Sequence, residues 1–112
     1  MGLYRLYTGA DGESHIEDLK PEDHPELRQL QGAAGIRLQE FAAKQFLDWH
    51  PAPRRQWVII VSGELEIGLG DGTSRRFGPG DARLVEDTTG RGHTTRTLGN
   101  GPCFAMVVPL AG

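Results

Sequence analysis

Apolar and polar positions alternate along most of this chain, and glycine or proline breaks the alternation at short intervals. The clearest run is Gln56 to Ser62. There Gln56, Val58 and Ile60 share one face, and Trp57, Ile59 and Val61 share the other. The run is dense in β-branched and aromatic side chains, which suit a pleated surface. Both faces are largely apolar, so both are expected to be covered, one by the interior and the other by a second sheet or a partner subunit. Residues 35–42 repeat the period of two, with Ile36, Leu38, Glu40 and Ala42 opposite Arg37, Gln39 and Phe41. Helix is the rival assignment there, since Leu, Gln, Glu and Ala favour it, but the segment is short and follows a glycine. Further strands are predicted at 3–7, 14–17, 45–50, 64–69, 73–77, 82–86, 93–98 and 104–108. Roughly nine short strands at such spacing indicate an all-β sandwich or barrel. The polar stretch 21–27 holds at most one helical turn, and His24 within it reads as a solvated loop residue.

Composition narrows this picture. The chain has 112 residues, enough for one domain with one core. With 16 Gly and 7 Pro, turn residues are about a fifth of the chain against roughly 12% on average. They lie between apolar runs, so they mark turns rather than disorder. The expected division is an N-terminal extension over 1–34, packing on its own barrel or on a partner subunit, and a barrel over 35–112. A net charge of −3 gives no reason to expect a nucleic-acid partner. No apolar run has the length of a membrane span, and the N-terminus lacks the apolar segment of a secretory signal. Cys103 is the single cysteine, so there is no disulfide framework. A cytoplasmic protein that engages no membrane is the expectation.

The stretch 49–96 carries the candidate chemistry. His50 precedes the strongest strand, and His93 follows two turns, at Gly70-Asp71-Gly72 and Gly78-Pro79-Gly80-Asp81. These residues resemble the cupin family, RmlC-like jelly-roll barrels built as a double-stranded β-helix. The resemblance covers about 35–108. In the first cupin motif His50 matches the first histidine, Ala52 falls at the second, Gln56 at the glutamate and Gly63 at the closing glycine. In the second, Gly72, Pro79-Gly80-Asp81 and His93 match, while Asn100 lies too far on for the asparagine. More narrowly, 49–56 and 86–93 resemble a group of small bacterial single-domain cupins.

The resemblance implies a divalent metal (Zn, Ni, Fe or Mn) held by His50, Gln56 and His93, with Glu40 or Asp48 as a further carboxylate. Glu40 shares a face with Ile36 and Leu38 and enters the barrel if that face is the inner one. Asp48 lies two residues before His50 and so shares its face in a regular strand. The departures are specific, because Ala52 and Gln56 stand where an imidazole and a carboxylate would be. A set of two imidazoles and one amide carries no ligand charge and holds a divalent cation weakly. The remaining pocket is expected to be formed by Val58, Ile60, Thr95, Phe104 and Met106.

Other residues read as structural. Arg37, Arg54, Arg83 and Arg96 offer a carboxylate a bidentate grip, against the plainer reading of scattered solvated arginines. Asp87 or Thr88 is expected to cap loop amides, and Cys103 to be buried and inert. Two function classes follow. One is a metal-dependent enzyme acting on a small organic acid or carbonyl compound, for which the resemblance implies oxygenase, isomerase or lyase chemistry. The other is a metal-free barrel that binds a small-molecule ligand without catalysis. A homodimer is expected from the two-faced strand 57–61 and the detached N-terminal strand.

Overall fold

A computed structural model describes residues 1–111 of the chain. It contains ten strands: β1 (Leu3–Thr8), β2 (Ser14–Asp18), β3 (Arg37–Phe41), β4 (Phe46–His50), β5 (Gln56–Ser62), β6 (Glu64–Gly68), β7 (Ser74–Phe77), β8 (Ala82–Glu86), β9 (His93–Leu98) and β10 (Cys103–Pro109). Two short 3₁₀ turns, Pro21–Asp23 and Pro25–Arg28, occupy the polar stretch, each opening on a proline whose missing N–H is no loss at a helix start. The strands form a six-stranded sheet, ordered β2-β1-β8-β5-β10-β3, and a four-stranded sheet, ordered β4-β9-β6-β7. Among the described residues no ladder joins the sheets, so they face each other as a jelly roll rather than a closed barrel.

The N-terminal hairpin is part of the larger sheet, since β1 runs parallel to β8 with Leu6 opposite Val85. Leu6 is completely buried in the main core, beside Val58, Ile60, Leu65, Ile67 and Phe77. Alternation explains the layering. On β5 the face of Gln56, Val58 and Ile60 points inward, and the face of Ile59 and Val61 is exposed. Only the Trp57 end of that outer face is covered, by a second cluster of Leu19, Leu84 and Leu110 with Leu27 against it.

Two inner faces differ from expectation. On β10 the inward residues are Cys103, Ala105 and Val107, while Phe104 and Met106 lie on the outer side. This strand is apolar throughout, so it has no alternation to read. Its pairing decides the matter, because Ala105 and Val107 lie opposite the inward Ile60 and Val58 of β5. The same ladder fixes β3, where Met106 pairs with Leu38 and Phe104 with Glu40. Glu40 is therefore exposed outside, and Arg37, Gln39 and Phe41 face in.

Candidate functional site

The two candidate histidines are neighbours. Their ring centroids are 4.7 Å apart and their planes inclined by 57°. They meet because β4 and β9 pair antiparallel, with His50 opposite His93. Between Leu47, opposite Thr95, and His50 the register shifts by a bulge. The bulge turns both Leu47 and His50 inward and leaves Asp48 exposed. The expected Asp48 carboxylate is thus outside, where it accepts from the Trp49 N–H at 2.9 Å. Asp48 serves His50 by its backbone instead: its carbonyl accepts from His50 Nδ1 at 2.6 Å.

Gly92 sets the approach of the two strands. Its φ is +81°, a region closed to most side chains, and a Cβ there would overlap the His50 carbonyl and the Pro51 nitrogen. Next to it, the Arg91 guanidinium lies 3.9 Å from the Trp49 ring centroid. The Gly90-Arg91-Gly92 segment, without catalytic signature of its own, closes the loop that delivers His93.

His93 is held by a residue expected to cap a loop. Asp87 is fully buried, and its Oδ2 accepts from His93 Nδ1 at 2.5 Å and from the Ser14 hydroxyl at 2.6 Å. A carboxylate and a carbonyl only accept, so Nδ1 is the donor on both rings. In its neutral form each imidazole then presents Nε2 as an acceptor. The sequence signal for Asp87 is the alternation of β8 carried one step further. Arg83 and Val85 point inward, and Asp87 continues their face while Leu84 and Glu86 point out.

His50 and His93 line a cavity of about 130 Å³ between the sheets. Gln56, Thr95, Gln39 and Arg83 add polar groups, and Phe41, Leu47, Ala52, Val58 and Val85 an apolar wall. Among the predicted pocket residues, Val58 and Thr95 line it, Ile60 lies in the packed core, and Phe104 and Met106 are outside. Sequence reasoning missed Phe41, Leu47 and Gln39, because the inner face of β3 and the bulge of β4 depend on pairing.

The four candidate arginines separate. Arg54 is exposed, and Arg96 lies outside over Phe46 at 4.6 Å. Arg37 is at the cavity edge and donates to Gln39 Oε1 at 3.0 Å. Arg83 is 4% exposed, lies 4.8 Å from the Phe77 ring centroid, and leaves Nε and Nη1 without a partner in the protein. Burial pulls its guanidinium down from the usual range to about 10, against the opposing pull of Cys103, Asp87 and Asp81. It remains charged at neutral pH.

The donor set fits a divalent cation poorly. Two imidazoles and the Gln56 amide bring no negative charge, both candidate carboxylates are outside, and a buried cation shares the cavity. Among the described residues no group of three His, Cys, Asp or Glu is placed to hold a metal ion.

No protein-family model and no curated protein matches the sequence. Solved structures do match the fold. A polyketide cyclase of Streptomyces resistomycificus superimposes with a TM-score of 0.58 at 19% identity, over 95% of this chain and 70% of its own. An uncharacterized conserved protein of Klebsiella pneumoniae with a double-stranded β-helix domain gives 0.54 at 19%, over 74% and 76%. A predicted oxalate decarboxylase of Thermotoga maritima gives 0.51 at 14%, over 98% and 94%. The fold is that of a double-stranded β-helix domain. At these identities the likeness is one of fold alone. No helix of the described residues is long and apolar enough to cross a membrane.

Proposed function

We propose that this chain binds a small polar organic molecule in the cavity between its sheets. His50 and His93 are its oriented polar contacts, and Phe41, Leu47 and Val58 its apolar wall. The observation that carries this reading is the Asp87–His93 pair. A carboxylate with no exposure, bonded at 2.5 Å, fixes the tautomer and orientation of a ring whose other nitrogen is left for a ligand. A resident metal has no part in this reading, because the donor set opposes it. A buried single thiol fits a reducing, cytoplasmic setting.

The same pair favours a catalytic form of the reading, in which His93 Nε2 takes a proton from the bound molecule as a general base. Ligand-observed NMR with a set of small hydroxy acids, amides and polyols tests the binding step. At least one compound should bind the wild-type protein and lose affinity in His93→Gln. Binding by none of them, or equal binding by the variant, would overturn the proposal.

A further inference from the structure

We propose that the ligand of this cavity is a short 2-hydroxy carboxylate, with Arg83 taking the carboxylate and the two imidazoles taking the hydroxyl. The inference rests on the cavity reading above and names its ligand class.

Arg83 lines the cavity wall, yet Nε and Nη1 find no acceptor in the protein. A guanidinium taken out of water without an acceptor is strongly unfavourable, and a fold keeps one where something pairs with it. Asp87 lies on the same inward face and its charge favours the guanidinium, but its Oδ2 is committed to His93 and Ser14, its Oδ1 is buried without a partner, and no hydrogen bond joins it to Arg83. The Phe77 ring covers one face of the guanidinium and supplies no lone pair. A carboxylate matches the fork of Arg83 in both charge and geometry.

The other polar wall has the opposite requirement. His50 and His93 spend their Nδ1 hydrogens on the Asp48 carbonyl and the Asp87 carboxylate, so in their neutral forms both show acceptors to the cavity. A ligand must therefore present acceptors at one end and a donor at the other. A carboxylate with a neighbouring hydroxyl is the smallest group that does so, and about 130 Å³ accommodates it. A 2-oxo acid brings an acceptor where a donor is needed and is disfavoured.

Calorimetric titration and thermal unfolding with lactate, propionate and lactamide test this at constant ionic strength. Lactate should bind and raise the melting temperature. Propionate, without the hydroxyl, and lactamide, without the charge, should each bind about tenfold more weakly or worse. Arg83→Met should lose lactate binding, seen as the absence of any lactate-induced rise in the variant's own melting temperature. Lactamide or propionate binding as tightly as lactate would overturn the inference, as would undiminished lactate binding by Arg83→Met. The comparison of probes on the wild-type protein stands even if that variant does not fold. Cavity binding confined to neutral compounds would sink the inference and leave the broader reading intact, whereas no binding by any compound would sink both.

Discussion

His50 and His93 lie opposite each other across β4 and β9, with ring centroids 4.7 Å apart, and the backbone of Gly92 makes that contact possible. A side chain at position 92 would meet main-chain atoms, which cannot swing away as a rotamer can. Gly92→Ala should therefore destabilise the fold by about 1–3 kcal/mol and separate the rings. Thermal unfolding reads the first effect, and loss of ligand binding the second. A variant with wild-type stability and binding would show that the approach is not needed.

Asp87 gives a second prediction. Asp87→Asn keeps the shape but removes the charge, and its amide can present N–H where His93 now finds an acceptor. Stability should fall by about 1–3 kcal/mol, the range for disturbing a buried hydrogen-bonded group. Nitrogen NMR of the histidines should show the His93 proton moving from Nδ1 to Nε2. An unchanged tautomer would mean that Asp87 does not set it.

The weak donor set is itself testable. Protein purified without a metal-affinity tag should hold well under one equivalent of Zn, Ni, Fe or Mn. Gln56 lines the cavity with both histidines, so Gln56→Glu adds the missing negative ligand. Divalent affinity should rise by about tenfold or more, as ligand charge count governs such affinities. Stoichiometric metal in the wild-type protein, reduced by His50→Ala, would restore the metal reading.

On the outer face, Glu86 accepts from Arg5 Nε at 2.6 Å and from Arg55 Nε at 2.5 Å. Burial pushes its carboxyl up, but the two guanidinium bonds together outweigh it and hold it below the usual carboxylate range. A carboxyl lowered on folding stabilises above its unfolded value, near 4.5, and that stability is lost as pH falls through the lower folded value. Glu86→Gln should thus lose a modest amount at pH 7, under about 1 kcal/mol because the partners are partly exposed. The difference from wild type should be smaller at pH 3 than at pH 7. Urea unfolding at both pH values checks this, and an equal difference at both would refute the ion-pair account.

The homodimer expectation can be tested on the outer face of the larger sheet. Leu38, Ile59 and Val61 are exposed on the outer face of β3 and β5, and Met106 of β10 pairs with both Leu38 and Ile59. If a second copy covers this patch, light scattering at micromolar concentration should give a dimer, and Ile59→Lys a monomer with intact fold. A monomeric wild-type protein would remove the expectation.

The sequence by itself determined the class of fold. Period-two alternation and frequent turn residues specify an all-β sandwich or barrel. The resemblance of 49–96 to the cupin motifs implied the jelly roll and singled out His50, Gln56 and His93, and clean alternation of β5 and β9 put Val58 and Thr95 on inner faces. Where alternation was missing or interrupted, tertiary structure decided. The uniformly apolar β10 took its inner face from pairing with β5, which put Phe104 and Met106 outside, and β3 followed, taking Glu40 with it. A bulge in β4 exchanged Asp48 for Leu47 on the inner face. Arg83 and Asp87 looked like surface and loop residues, since nothing local tells a charged side chain that faces solvent from one enclosed by a second sheet. Burial depends on what packs across the interior, and only the facing sheets set that for Arg83 and Asp87.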